Sequence, residues 1–178
     1  NMAGVFGLPV VFICQNNQWS ISLPVKRQTA AKTLAQKAWA YGFEGIQVDG
    51  NDVFAVYHAT RNALEKARQG GGPTFIECLT YRLADHTTAD DASRYRPAAE
   101  VEEWRQRDPL LRLRLFMEQS GRWAENDEKT AWERARATID AAVREAESAP
   151  PPEPEEMFDH ISANLSPRHQ RQREALEV

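Results

Sequence analysis

The stretch Val10-Val11-Phe12-Ile13-Cys14-Gln15-Asn16-Asn17-Gln18-Trp19-Ser20-Ile21 decides the fold. Its β-branched and aromatic run ends in consecutive Asn residues, which predicts a buried strand followed by a polar loop. In an open α/β sheet, ligands bind at such carboxyl ends of strands. Asn17 offers an amide oxygen and the backbone around Trp19 offers carbonyls, which are ligands that Mg²⁺ accepts beside a phosphate group. The alternative interpretation is an Asn-rich turn after a core strand.

The composition is typical of a globular protein, with 178 residues, of which 42% are hydrophobic and 27% charged. The net charge of -4 gives no electrostatic reason to expect nucleic acid, which binds basic surfaces. Both cysteines, Cys14 and Cys78, lie in apolar runs and are interpreted as reduced core thiols of a cytoplasmic protein. Since no run approaches about 18 apolar residues, the sequence predicts no membrane-spanning segment.

The chain begins in an unusual way. Residues 1–9 contain neither an initiator methionine nor a charged leader, and they are typical of the last turn of a helix running into a strand. We therefore expect that a further segment precedes residue 1.

Strands and helices are predicted to alternate after the first strand. The predicted elements are a helix over 30–41, a strand over 45–49, a helix over 53–69 capped by Asn51 or Asp52, and a strand over 74–81. This order predicts right-handed crossovers and a parallel sheet covered on both faces.

Residues 82–97 show no helical or strand periodicity and hold many charged and polar side chains. A loop of this length in a globular domain is usually functional or disordered. Like the Asn loop, it follows the carboxyl end of a predicted strand. We expect the two loops to line the same crevice.

The chain beyond residue 97 is predicted to be helical. The expected helices cover 100–107, 109–120 with Asp108 as N-cap, and a long segment to 148 capped by Asn126 and Asp127. A stiff Pro-rich linker over 150–154 leads to a tail whose apolar face is narrow, which favours packing on another subunit. The predicted domains are therefore 1–97, an α/β region, and 98–178, a helical extension with a subunit-packing tail.

Two motifs resemble one enzyme family. Asn1-Met2-Ala3, followed by a strand and Asn16-Asn17, is similar to the second half of that family's thiamine-binding motif, which opens upstream with Gly-Asp-Gly. Residues 81–96, which include His86, are similar to the loop that carries its active-site histidine. The family is the α subunit of the thiamine-diphosphate-dependent 2-oxo acid dehydrogenase first component, of the heterotetrameric type. The resemblance covers nearly all of the chain.

The resemblance implies that the chain binds thiamine diphosphate and Mg²⁺. The Asn17 side chain and the Trp19 main-chain carbonyl would coordinate the metal, while Ser20 and Ile21 would lie against the cofactor. Two neutral oxygens suit a Mg²⁺ ion that takes about six oxygens and shares some of them with a diphosphate. The metal carboxylate would come from the Gly-Asp-Gly segment, which is not part of this sequence.

By the same resemblance, His86 would contact the cofactor diphosphate and help to transfer protons during acyl transfer. Imidazole suits this role because it donates or accepts a proton near neutral pH. Asp85 and Asp90 are expected to orient its ring, and the alternative is a solvated loop histidine. The residues that would order the loop over the cofactor are Arg82, Asp90, Asp91, Tyr95 and Arg96, each of which could instead be an exposed side chain.

The implied fold is part of a three-layer, parallel-sheet, thiamine-diphosphate-binding α/β fold, followed by a helical C-terminal extension. The implied activity is oxidative decarboxylation of a 2-oxo acid, pyruvate first and branched-chain second, with acyl transfer to the lipoyl domain of the acyltransferase component. A β subunit would complete an assembly of two α and two β chains. The alternatives are an acetoin dehydrogenase α subunit and a non-catalytic α/β assembly subunit.

Overall fold

The computed structural model describes residues 1–154 and 156–176. Contacts divide the chain into two units, Asn1–Trp123 and Ala124–Val178. The strands of the first unit are β1 (Val11–Asn16), β2 (Trp19–Ser20), β3 (Leu23–Pro24), β4 (Glu44–Asp49) and β5 (Thr74–Leu79). Its helices are α1 (Met2–Val5), α2 (Val53–Arg68), α3 (Ala98–Arg105) and α4 (Pro109–Gln119), with 3₁₀ helices at Val25–Arg27, Ala35–Tyr41 and Ala92–Arg94.

A parallel sheet in the order β1-β5-β4 forms the centre of the first unit. Ile13, Ile76 and Ile46 align across its three strands. Helix α2 makes the crossover from β4 to β5, as a parallel pair of neighbouring strands requires. The predicted α/β class with a parallel sheet is therefore confirmed. The short β2 and β3 form an antiparallel ladder that the sequence analysis did not predict.

Helix α2 covers one face of the sheet and creates the core. Ala63 packs there against Ile76 and Cys78 of β5, and Ile76 is fully buried at 0% exposure. Alternate residues of each strand face the helix because strand side chains alternate between the two faces. Asp52 caps α2, since its carboxylate accepts hydrogen bonds from the backbone N–H groups two and three residues ahead (2.9 and 3.2 Å). The prediction of a cap at this turn is confirmed.

The Ala35–Tyr41 segment packs on strands β4 and β5, and it corrects one prediction. The predicted α-helix over 30–41 is wrong, because the segment is a 3₁₀ helix that begins only at residue 35. The Thr29 and Thr33 hydroxyls accept backbone N–H groups two and three residues ahead (3.1 and 3.3 Å). Such local bonds compete with α-helical hydrogen bonds and favour turns.

A close backbone approach also shapes this segment. A Cβ atom built on Gly45 would lie 2.0 Å from the carbonyl oxygen of Ala35, far inside van der Waals contact. Only glycine at this position of β4 therefore allows the 3₁₀ helix to lie so close to the sheet. Sheet contacts set the path of residues 35–41, and they override the helical propensity of its Ala and Lys residues.

Helices α3 and α4 belong to the first unit. Asp108 caps α4 by accepting two backbone N–H groups (2.9 and 3.0 Å), which confirms that prediction. Arg112 of α4 pairs with Asp49 (2.8 Å) and Asp52 (3.4 Å) at the turn between β4 and α2. The unit therefore extends past the sheet region to Trp123. The predicted domain boundary between residues 97 and 98 stays a prediction.

The second unit holds the remaining helices, α5 (Glu125–Ser148), α6 (Glu156–Asp159) and α7 (Pro167–Glu174). Helix α5 begins before the predicted caps, and Asp127 lies in its first turn, where its carboxylate accepts the backbone N–H of Ala124 (2.9 Å). Ser166 caps α7 through its hydroxyl, which accepts the N–H of His169 (3.3 Å). Within the described residues, no helix is both long and apolar enough to cross a membrane.

Candidate functional site

The Asn loop and the 82–97 loop leave neighbouring strands at the same edge of the sheet. Asn16, the last residue of β1, pairs with Leu79, the last residue of β5. The N–H of Thr80 donates to the Asn16 carbonyl (2.9 Å), and that of Arg82 donates to the Asn17 carbonyl (3.2 Å). The expected meeting of the two loops is therefore confirmed, and the strand pairing continues into both.

Two local side-chain bonds shape the Asn loop. The Asn16 amide oxygen accepts the backbone N–H of Gln18 (3.1 Å), and the Asn17 amide oxygen accepts that of Trp19 (3.0 Å). Gln18 has a φ of 69°, in the left-handed region that side chains with a Cβ rarely occupy. The turn between Asn17 and Trp19 is thus strained, and the two Asn side chains hold it in place.

The Ser20 and Ile21 side chains lie at the open end of the loop. Ser20 is in β2 and is exposed, and Ile21 is 53% exposed with a φ of 52°. The carbonyl of Ile21 faces the second loop, because it accepts a hydrogen bond from the Arg82 guanidinium (2.6 Å). An apolar side chain thus stands exposed beside a fixed carbonyl at the edge where the loops meet.

A chain of hydrogen bonds runs from this contact into the second loop. Arg82 also donates to the Tyr95 hydroxyl (3.2 Å), which in turn donates to the Asp90 carboxylate. The same carboxylate accepts the backbone N–H of His86 (2.9 Å). Trp19 and Tyr95 join the loops a second time through their rings, whose centroids are 5.6 Å apart.

The hydrogen bond between Tyr95 and Asp90 needs a protonated phenol and an ionised carboxylate, which are the forms of these groups at neutral pH. The Tyr95 hydroxyl, and after it the His86 N–H, lowers the pKa of the Asp90 carboxyl, and the same bond raises the pKa of Tyr95. The stabilisation is present above the ordinary aspartate pKa of about 3.9 and is lost as the pH falls through the lowered value. It is also lost as the pH rises through the raised pKa of the phenol, above about 10. The bond therefore persists across the neutral range.

Arg96 joins the end of the second loop to its beginning through hydrogen bonds to backbone carbonyls. Its buried guanidinium donates to the carbonyls of Arg82, Leu83 (2.8 Å) and Ala84 (3.2 Å) and lies 5.8 Å from the centre of the Tyr81 ring. These carbonyls belong to the segment just before His86. A planar guanidinium suits such a site because its N–H groups form a fixed fork.

Asp91 and Asp85 accept backbone hydrogen bonds within the second loop. Asp91 accepts the N–H of Ser93 (3.1 Å) and so caps the Ala92–Arg94 turn. Asp85 accepts the N–H of Ala92 (3.0 Å). Each of these backbone bonds uses one carboxylate oxygen and leaves a second, so the expectation that Asp85 and Asp90 orient the imidazole stays a prediction. The His86 side chain is exposed at the loop tip.

The Asn loop offers oxygen atoms that fit a hard cation. An amide oxygen has two lone pairs, so Asn17 retains one after accepting the Trp19 N–H. Trp19 and Pro24 form a non-hydrogen-bonded pair of the ladder, because the flanking bond runs from the Val25 N–H to the Gln18 carbonyl (2.8 Å), so the Trp19 carbonyl points away from β3. Among the described residues, no group of three or more His, Cys, Asp or Glu side chains could hold a metal. The donors present therefore fit part of a Mg²⁺ shell, and phosphate or another chain segment must complete it.

Two residues of this region were not predicted from the sequence. Glu77 lies in β5 with 0% exposure and contacts the Asn loop through Asn16 (2.6 Å). Its signal was a single charged residue inside an otherwise apolar strand, Thr74–Leu79. Gln18, with its left-handed backbone, carried no signal, since glutamine has no preference for that conformation.

Comparisons with known proteins agree on one family. Residues 1–155 match the family model described as the dehydrogenase E1 component. The chain is 47% identical over 179 residues to the 3-methyl-2-oxobutanoate dehydrogenase subunit alpha of Mycobacterium tuberculosis, across 100% of this chain and 48% of that protein. It is 51% identical over 149 residues to the pyruvate dehydrogenase E1 component subunit alpha of Staphylococcus aureus, across 83% of this chain and 40% of that protein.

The chain spans less than half the length of each of these relatives. The match nonetheless includes both loops at the edge of the sheet and the strands that carry them. The chain belongs to the dehydrogenase E1 component family.

Proposed function

We propose that this chain is part of the α subunit of a 2-oxo acid dehydrogenase that binds thiamine diphosphate with Mg²⁺. The observation that carries the proposal is the bonded series from the Ile21 carbonyl through Arg82, Tyr95 and Asp90 to the His86 backbone. It joins a loop of neutral oxygen donors to a loop that presents a histidine. Both loops lie where open α/β sheets bind ligands.

A 2-oxo acid is the proposed substrate class. The relatives named above are a 3-methyl-2-oxobutanoate dehydrogenase and a pyruvate dehydrogenase, and both names specify a 2-oxo acid. Pyruvate remains the first expectation and a branched-chain acid the second. Acetoin remains the alternative substrate.

The proposed roles of the Asn loop are metal binding and cofactor contact. Asn17 and Trp19 would each give Mg²⁺ one neutral oxygen, which leaves the negative charge to the diphosphate. Ser20 and Ile21 would lie against the cofactor. When bound, thiamine diphosphate supplies the electron sink for decarboxylation, and the protein supplies orientation and electrostatics.

The second loop is proposed to carry the proton-transfer group. His86 is exposed at the loop tip. Its backbone N–H donates to Asp90, and Arg96 binds the carbonyls of Leu83 and Ala84 just before it. Its imidazole would donate a hydrogen bond to the diphosphate and a proton during acyl transfer. Arg82, Tyr95 and Asp91 would keep the loop ordered over the cofactor.

The proposed partners are a β subunit, in an assembly of two α and two β chains, and the lipoyl domain of an acyltransferase component. The helical segment 98–178 is proposed to pack on other subunits. Helix α5 shows exposed apolar side chains of the kind that interfaces cover, at Trp132, Ile139 and Val143. The assembly is proposed to be cytoplasmic.

The test is Asn17→Ala in the complete α subunit assembled with its β partner. Loss of one of about six metal oxygens should weaken the affinities for Mg²⁺ and thiamine diphosphate together, because each stabilises the bound state of the other. Excess cofactor should restore part of the activity by mass action. The measurements are a Mg²⁺ titration of cofactor binding and the rate with a 2-oxo acid.

The matched control is Asn62→Ala, which removes an exposed amide from helix α2 and should change neither affinity. Unchanged Mg²⁺ and cofactor affinities in Asn17→Ala would exclude the metal assignment. Absence of any cofactor binding by the unmodified assembly would favour the non-catalytic assembly subunit instead.

A further inference from the structure

A buried glutamate lies beneath the Asn loop. Glu77 is in the central strand β5, and its exposure is 0%. Its two carboxylate oxygens bind different segments of the chain: one accepts the Asn16 side-chain amide (2.6 Å) and the other accepts the backbone N–H of Ala35 (2.9 Å). Buried carboxylates are rare because they lose hydration, and this one keeps a hydrogen-bond donor on each oxygen.

The Asn16 amide links Glu77 to the turn at Gln18. Its nitrogen donates to Glu77, and its oxygen accepts the N–H of Gln18 (3.1 Å). Gln18 is the strained residue between Asn17 and Trp19. Only one orientation of the Asn16 amide satisfies both bonds, because its nitrogen must face an acceptor and its oxygen must face a donor. Glu77 therefore determines which way the Asn16 amide points.

We propose that Glu77 is the positioning residue for the metal-binding turn. Through Asn16, its carboxylate holds Gln18 in the left-handed conformation that sets Asn17 and Trp19 side by side as oxygen donors. This role rests on the proposed function, because it assigns Glu77 to the Mg²⁺ site formed by those two residues. The residue acts through Asn16 and does not itself contact the metal.

The balance of hydrogen-bond donors and acceptors around Glu77 makes this role testable. The Gln18 N–H, the Asn16 side chain, residue 77 and the Ala35 N–H make three contacts in series, with a donor at each end. In Glu77→Gln, each side-chain amide turns its oxygen to one contact and its nitrogen to the other, so two oxygens face three contacts. One buried N–H must stay unpaired whichever way the amides turn. Such a group shifts an equilibrium by about 5- to 150-fold.

A reciprocal exchange restores the balance. In the double variant Asn16→Asp/Glu77→Gln, the amide introduced in β5 donates its nitrogen to the carboxylate introduced at the end of β1, and its oxygen accepts the Ala35 N–H. The second oxygen of that carboxylate accepts the Gln18 N–H. Every donor has an acceptor again, and the total charge is that of the unmodified pair.

The experiment measures Mg²⁺-dependent binding of thiamine diphosphate to the complete αβ enzyme by isothermal calorimetry, together with the melting temperature without cofactor. We expect Glu77→Gln to weaken cofactor binding about tenfold or more and the double variant to regain most of that loss. The control Glu133→Gln, at an exposed position of helix α5, should bind the cofactor normally.

A lower melting temperature with cofactor affinity within about twofold of the unmodified enzyme would overturn the proposal, since a merely structural glutamate predicts that result. Failure of the double variant to regain affinity would also overturn it. If Glu77→Gln does not fold, Asn16→Ala breaks the same link, and unchanged affinity there would be equally decisive. An effect of Asn17→Ala without an effect of Glu77→Gln excludes only this inference, whereas no effect of Asn17→Ala excludes the metal site itself.

Discussion

At the scale of single residues, His86 is fixed by its backbone and not by its ring. Its N–H donates to Asp90 (2.9 Å), while its imidazole is exposed. A histidine presented in this way can approach a ligand without disturbing the bonds that hold the loop. Substitution of the ring should therefore change the reaction rate and leave the stability of the fold nearly unchanged.

We predict that His86→Ala impairs acyl transfer to the lipoyl domain more than it affects folding. Truncation leaves no core cavity, so the free energy of unfolding should change by less than about 0.5 kcal/mol. The rate of the complete reaction should fall about 10²- to 10⁴-fold, the usual contribution of a proton-transfer group. Decarboxylation measured with an artificial electron acceptor should fall less.

The control is His58→Ala, an exposed histidine in helix α2, which should leave both rates unchanged. Equal losses in the two assays of His86→Ala would assign the residue to cofactor binding alone. Full activity in both assays would mean that His86 is a solvated loop histidine with no role in the reaction.

At the scale of elements, the 82–97 loop is ordered by polar contacts instead of a hydrophobic core. Arg96 binds the carbonyls of three successive residues, and Tyr95 bridges Arg82 to Asp90. Each net hydrogen bond contributes only about 0.5 to 1.5 kcal/mol. The loop is therefore an element whose local opening costs less than unfolding of the sheet.

We predict that Tyr95→Phe opens this loop without unfolding the protein. The ring contact with Trp19 is kept, but the hydroxyl that links Arg82 to Asp90 is lost. Trypsin should cleave the loop faster in the variant, and its backbone amides should exchange hydrogen faster. The melting temperature should change little.

Tyr57→Phe is the matched control, because that hydroxyl belongs to an exposed tyrosine on helix α2. Equal cleavage and exchange rates in Tyr95→Phe and the unmodified protein would show that the hydroxyl does not order the loop.

At the scale of the whole molecule, a small buried hydrophobic cluster lies between helix α2 and the sheet. Ala63, Ile76 and Cys78 form its buried centre, with half-buried residues around them. Burial raises the pKa of both cysteine thiols, so Cys14 and Cys78 remain protonated at neutral pH. Both cysteines are free thiols, of which Cys78 is buried in the core and Cys14 is half-buried.

We predict a graded loss of stability at Ile76. Ile76→Val should lower the free energy of unfolding by about 0.5 to 1.5 kcal/mol and Ile76→Ala by about 2 to 5 kcal/mol, because the larger truncation leaves a larger cavity. Urea unfolding measures both values. A cost below about 0.5 kcal/mol for Ile76→Ala would mean that the centre of the sheet is not the core of the molecule.

Local chemistry let the sequence predict most of the elements. Asp52 and Asp108 cap their helices as expected because a carboxylate binds the free N–H groups of the residues that follow it. The parallel strands and the crossing helix follow from short apolar runs separated by turn residues, and each of these signals lies within a few positions of the element it predicts.

The sequence by itself thus determined the three strands of the parallel sheet, the caps of α2 and α4, and the two polar loops at one edge of the sheet. Only the tertiary structure decided the 3₁₀ form of residues 35–41, the engagement of Asp85 and Asp90 by backbone, and the burial of Glu77 beneath Asn16. The 3₁₀ segment and the burial of Glu77 depend on contacts outside the local sequence, since Ala35 contacts both Glu77 and Gly45. A local pattern records the preference of a residue, whereas contacts made across the sheet decide whether that preference is met.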